Sequence, residues 1–335
     1  MDKEFKIAVS LLVFLLIVSA LLLRILAHIG LFSAGFVNGF VPFTLLLAPY
    51  ILFSTHFCVQ SFREWISGSF TKKMLLPLGV LAVYGFSSLA HSSFDSFLLF
   101  KLSLWVFVPS LILTFDLMKG APPYLKEFAV ALMLWLPIEL GKLSGFDIIF
   151  TDGIQIPALA FAAPVFGLYL FAVLADLPDI GYHFRWRLSD IGKAAAALAV
   201  LAVLLIRMGT RLGFIRFSTL DTSFADVVKL VLGIYFMVAI PEELLFRGII
   251  QNVLSKALSR FKYSTWLSLL IASAIFGLSH YNNFNPPDWR YVFLATIAGL
   301  FYGWTYIRTG KTTVSALVHC GVNFFWAILF KDTGG

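Results

Sequence analysis

Two adjacent carboxylates and a guanidinium, Glu242, Glu243 and Arg247, stand in the stretch 240–250 (IPEELLFRGII), whose other residues suit a membrane-embedded helix. Each charge at the centre of a bilayer helix costs roughly 2.5–3.5 kcal/mol, so three together require partners or a purpose. Glu243 and Arg247 are four residues apart, which places them on one helix face as an ion pair. Glu242 is left over, and a carboxylate in an apolar setting is a candidate general base. Further along, His280 follows Phe276 by four residues in the stretch 273–281 (SAIFGLSHY). His319 and Asn323 have the same spacing in 316–325 (ALVHCGVNFF) and so share a helix face. Ser273, Ala274, Gly277, Ser279, Cys320 and Gly321 flank the histidines, and small residues let membrane helices approach closely.

Taken singly, each of these residues has a structural reading. A lone histidine in a membrane helix usually packs and hydrogen-bonds, His319 with Asn323 can clamp two helices, and Glu243 with Arg247 can be a structural ion pair. Together they supply the parts of amide hydrolysis, which needs a base for water, donors for the developing oxyanion and a proton for the leaving amine. Glu242 can be the base, and His280 can orient the water or pass on the proton. His319 and Asn323 can form the oxyanion site, while Arg247 fixes Glu243. Glu242, His280 and His319 can alternatively hold zinc, since three ligands leave an open position for water; the HExxH spacing of helical zinc proteases is absent. A Cys320 nucleophile has less support, because it adjoins His319 and helix neighbours point apart.

The elements that must carry these residues are membrane spans. The 335 residues are 60% hydrophobic and 13% charged, against about 25% charged in soluble domains. About eleven apolar runs approach or reach the length needed to span a bilayer. The expected architecture is an all-α, polytopic transmembrane bundle. Six spans are expected at 7–26, 36–57, 74–90, 97–118, 128–143 and 156–174, and five more at 193–208, 224–246, 265–281, 291–306 and 313–330. The eighth can run on to about residue 258, with a kink at Pro241. Lys101, Glu139 and Lys142 fit snorkelling or helix-end placement. The polar interval 176–190, which contains His183, marks a boundary between an N-terminal region of unknown role (1–189) and a core carrying the motifs (190–335). Helix counting offsets His280 from His319 by roughly 10 Å along the membrane normal, a gap that tilt or the kink must close.

The net charge of +7 reads as loop asymmetry. Most loop Lys and Arg fall on one side if the N-terminus is cytoplasmic, with Arg207, Arg211 and Arg216 as exceptions. No dense basic cluster interleaved with aromatics points to nucleic acid. The expected location is the plasma (inner) membrane. Cys58 and Cys320 form no disulfide framework.

The ordered set Glu242-Glu243-x-x-x-Arg247, Phe276-x-x-x-His280 and His319-x-x-x-Asn323 resembles the three motifs of the CAAX-protease and bacteriocin-processing family, which includes the Ras-converting-type CAAX prenyl protease. The resemblance covers about residues 190–330. It implies a helical membrane bundle with a cavity, Glu242 as the water-activating base assisted by His280, and His319 with Asn323 as the oxyanion site. It also implies supporting roles for Glu243, Arg247 and Phe276, and no metal in the preferred mechanism. The expected activity is intramembrane hydrolysis of a peptide bond in a membrane-anchored, prenylated or C-terminally sorted substrate. The alternative is a non-catalytic membrane transporter or scaffold that uses the polar cluster to bind a ligand or partner.

Overall fold

The structure, a computed structural model, describes residues 3–27, 33–151, 154–218 and 222–332. It divides into two compact units, residues 1–178 and 179–335. The division falls inside the polar interval 176–190, ahead of the expected boundary at 189/190.

The first unit contains α1 (Lys3–Ala27), α2 (Ala34–Leu52), α3 (His56–Ile66), α4 (Phe70–Ala90), α5 (Ser96–Phe115) and α6 (Leu125–Glu139). A two-stranded antiparallel pair follows, β1 (Asp147–Thr151) and β2 (Ile154–Pro157), then α7 (Leu159–Leu168) with a π-helical end at Tyr169–Leu174. Side-chain caps start several helices: Ser33 Oγ accepts from Phe36 N–H, Ser69 Oγ from Lys72 N–H and an Asp95 carboxylate oxygen from Phe97 N–H. Pro42, Pro49, Pro77, Pro109, Pro137 and Pro164 lie inside helices, as tertiary contacts in membrane bundles permit. Gly39 of α2 leaves room for the Phe150 ring, and the rings of Phe43, Tyr50 and Phe161 extend this core. Lys101 reaches back over the Phe97 ring, and Glu139, the last residue of α6, accepts from Trp135 Nε1.

The second unit contains α8 (Leu188–Arg211), β3 (Ile215–Phe217), a 34-residue α9 (Phe224–Ala257), α10 (Ser264–Leu278), α11 (Trp289–Thr309), α12 (Thr312–Leu329) and β4 (Phe330–Asp332), which pairs with β3. The segment before α8 is tied to α12: Thr312 N–H donates to Gly181 O at 3.0 Å and Thr313 Oγ1 to His183 O at 2.6 Å. The buried Lys311 ammonium pairs with Asp190, at the start of α8. The polar interval therefore includes a packed part of this unit, and the His183 main chain is engaged with α12.

The chain is an all-α integral membrane protein. Seven described helices are long and apolar enough to cross a membrane: α1, α2, α4, α5, α8, α9 and α12. All eleven expected runs are helical over most of their length, although Ile156 and Pro157 belong to β2 and residues 53–55 interrupt the second run. The four outside the seven are α6 and α10 (15 residues each), α7 with its π end (16 residues) and α11 (21 residues). The helix α3 has no counterpart among the expected spans.

Candidate active site

The site is built on α9, whose path is unusual around the glutamates. Two π-helical stretches, Ile234–Ala239 and Leu244–Gln251, enclose a short α-helical segment, Ile240–Glu243. Pro241 has no N–H to give to the preceding turn, and the helix passes it through widened turns. The disturbance expected at this proline takes that local form, and π-turns inside α-helices are frequent at functional sites.

The two glutamates have different surroundings. The Glu243 side chain is 0% exposed and Arg247 1%, with Arg247 Nε 3.2 Å from Glu243 Oε2. That N–H is not aimed at the oxygen, and the pair is held by charge and distance. The remaining oxygen of Glu243, Oε1, lies 3.0 Å from His319 Nδ1 on α12. Ser315 Oγ, one turn before His319, donates to Glu243 Oε2 at 2.6 Å. Glu242 is 34% exposed, and its Oε2 lies 3.8 Å from His319 Nε2. This distance is too long for a hydrogen bond, and Oε2 is buried with no hydrogen-bond partner.

Arg247 is anchored from two further directions. Nη2 donates to Gly299 O on α11 at 3.1 Å, and the guanidinium carbon sits 4.4 Å from the centre of the Phe276 ring. A cation over an aromatic face is attracted by the ring quadrupole, more strongly where water is excluded.

Phe276, buried on α10, also gathers the imidazoles. Its ring centre is 4.7 Å from that of His280 and 5.7 Å from that of His319. The Phe276 ring thus bridges the two histidines across the axial offset expected between them. His280 lies in the turn after α10, and its Nδ1 is 2.8 Å from Phe276 O. An Nδ1–H there donates to the carbonyl and leaves Nε2 available. Tyr302 of α11 stacks on His319, with ring centres 4.6 Å apart and planes within 13°.

His280, His319 and Asn323 line one cavity of about 170 Å³. Phe276, Tyr291, Tyr302 and Trp326 contribute aromatic walls, and Leu205, Ala295 and Ala298 aliphatic ones. Glu242 is not among the residues that line this cavity; its Oε2 lies 3.8 Å from Nε2 of His319, which does. Thus every motif residue expected from the sequence lies in one cluster of the second unit. Ser315 and Tyr302 were not among the expected residues. Ser315 extends the four-residue stripe Ser315, His319, Asn323 and was visible on that ground; Tyr302 carries no comparable spacing signal.

The zinc alternative requires Glu242, His280 and His319 to converge on one ion. Among the described residues, no three His, Cys, Asp or Glu side chains form such a group. His319 Nδ1 faces Glu243 and His280 Nδ1 a backbone carbonyl, so Nε2 is the ring nitrogen each could offer to an ion. As they stand, the three side chains do not converge on one point.

Residues 224–325 match the family model described as Type II CAAX prenyl endopeptidase Rce1-like. This match agrees with the resemblance of the three motifs to the CAAX-protease and bacteriocin-processing family. The Rce1-like region begins at the start of α9 and ends in α12, so it contains all the motif residues; α8, which the sequence resemblance included, lies outside it. An Escherichia coli protein described as an uncharacterized 24.3 kDa protein is 31% identical over 153 residues, covering 44% of this chain and 65% of the relative. The chain thus spans less than two thirds of that relative's length. No solved structure matches the chain significantly.

Proposed function

We propose that the Rce1-like region is an intramembrane endopeptidase that hydrolyses a peptide bond in a membrane-associated substrate with water activated by Glu242. The observation that carries this reading is the pair of oriented groups at His319. Nδ1 is held by the buried Glu243, while Nε2 faces the unpartnered Oε2 of Glu242 across 3.8 Å. One water can hydrogen-bond to Glu242 while lying against the imidazole.

Glu242 takes a proton from that water as its oxygen attacks the carbonyl carbon of the scissile bond. The carbonyl electron pair moves onto oxygen, and the oxyanion is stabilised by donors from Asn323 Nδ2 and from His319 Nε2 in its protonated form. Collapse of the tetrahedral intermediate breaks the C–N bond. The proton held by Glu242 passes to the leaving amine, with His280 on the same cavity wall as the relay. In the protonated form of His319, the two glutamates and the two cations (Arg247 and His319) cancel in charge, which favours such a cluster in an apolar surrounding.

The test uses the full chain in proteoliposomes with an internally quenched peptide ending in a farnesylated Cys-aliphatic-aliphatic-X sequence, beside its unprenylated twin. Cleavage of either peptide, lost in both Glu242→Gln and His280→Ala at unchanged protein level, is the expected result. Activity retained in either variant removes the assignment. Cleavage of the unprenylated twin at the same rate would place recognition in the peptide.

A further inference from the structure

Serine and threonine in membrane helices commonly turn their hydroxyl back to the carbonyl four residues earlier. Ser103, Ser110, Thr296, Thr305 and Thr309 all do so here. Ser315 does not. Its side chain leaves α12 and meets Glu243 Oε2 at 2.6 Å and the Tyr302 carbonyl oxygen at 2.7 Å, in a place with 0% exposure. A hydroxyl has one hydrogen and two acceptor lone pairs. With Glu243 ionised, that hydrogen goes to the carboxylate.

The consequence concerns the other oxygen of Glu243. A carboxylate is planar, so fixing Oε2 fixes the direction of Oε1, which lies 3.0 Å from His319 Nδ1. The same segment of α11 supplies the Tyr302 ring that stacks on His319. Ser315 thus touches both supports of the imidazole, the carboxylate on its edge and the residue on its face. Arg247 cannot replace it as an aligning group, because its Nε–H is not aimed at Oε2. We propose that Ser315 is a positioning residue. By holding Glu243 Oε2 it keeps Oε1 on His319 Nδ1 and so makes the imidazole present Nε2 toward Glu242. This rests on the protease reading for its effect on rate, but the effect on the imidazole stands by itself.

Two substitutions separate a hydrogen bond from mere space filling. Ser315→Cys keeps the shape and is a poor donor, whereas Ser315→Thr adds a methyl group and keeps the donor. In the full chain labelled with ¹⁵N-histidine, the His319 signals are identified by their loss in His319→Gln. Ser315→Cys is expected to shift the Nδ1 and Nε2 signals away from their wild-type positions, and Ser315→Thr to leave them near wild type. Where the wild-type chain cleaves the quenched peptide, Ser315→Cys is expected to lower kcat roughly 10- to 100-fold, the range for a hydrogen bond to a charged group, with KM unchanged. Unchanged His319 signals in Ser315→Cys, or Thr perturbing them more than Cys, overturn the proposal. Absence of cleavage in the wild type bears on the protease reading alone, since the histidine signals are read without substrate.

Discussion

Exchanging Glu243 for alanine leaves a fully buried guanidinium without its carboxylate, Ser315 with only the Tyr302 carbonyl as acceptor and His319 Nδ1 without its partner. Breaking a buried ion pair from one side costs about 3–5 kcal/mol, because the remaining charge is stranded away from water. Arg247 then keeps the Gly299 carbonyl and aromatic ring faces, Phe276 nearest, but no carboxylate in contact, so this range is expected here. Next door, Glu242 has no hydrogen bond to lose at Oε2 and is one third exposed. Glu242→Gln should leave unfolding within about 0.5 kcal/mol of wild type while lowering kcat roughly 10²- to 10⁴-fold, the contribution of a positioned general base. A third variant, Glu243→Gln with Arg247→Met, removes both charges while keeping volume and an oxygen for His319. Replacing a buried pair by neutral groups is often close to neutral in stability, so this variant should unfold well above Glu243→Ala and still cleave poorly. The assay is chemical unfolding in mixed micelles beside turnover of the quenched peptide. A Glu243→Ala protein as stable as wild type, or a Glu242→Gln protein as destabilised as Glu243→Ala, refutes this division of labour.

Asn323→Ala should lower kcat roughly 10²- to 10³-fold, the value of one oxyanion donor, with little change in KM; steady-state kinetics on the same peptide reads both. The metal alternative is decided by 1,10-phenanthroline, which is expected to leave the rate unchanged, whereas inhibition reversed by added zinc would establish a metal requirement. A Cβ at Gly277 would lie 2.7 Å from the Val292 carbonyl oxygen and collide with Thr296 Oγ1. Gly277→Ala should therefore separate α10 from α11 at a cost of about 1–3 kcal/mol, and displace His280 three residues on, measured as lost stability together with lost turnover. At the start of α11, hydrogen bonds from the Arg290 guanidinium hold the Asp288 carboxyl below the usual carboxylate range. This pair's contribution to stability is present above the unfolded-state pKa of Asp288 and is lost as pH falls through its lower folded-state pKa. Arg290→Met should flatten the acid limb of a stability-against-pH curve.

What the sequence determined by itself follows from the cost of charge in a membrane. Low charge content and repeated apolar runs specify a helical membrane protein, because only helices or closed barrels satisfy the backbone in lipid. Against that background, Glu242, Glu243, Arg247, His280, His319 and Asn323 stand out as residues that need a reason, and the four-residue spacing pairs Glu243 with Arg247 and His319 with Asn323. The same spacing could not say which residues meet across helices. That Glu243 serves His319 as well as Arg247, that Phe276 gathers a guanidinium and two imidazoles, and that Ser315 and Tyr302 support His319 all depend on how α9, α10, α11 and α12 pack. The widened turns around Pro241 belong there too: proline announces a disturbance, but whether a helix bends, breaks or widens is decided by its neighbours. The glutamate pair that is one anomaly in the sequence becomes in three dimensions two residues with separate surroundings. The difference is set by burial, which helix periodicity alone cannot assign to adjacent positions.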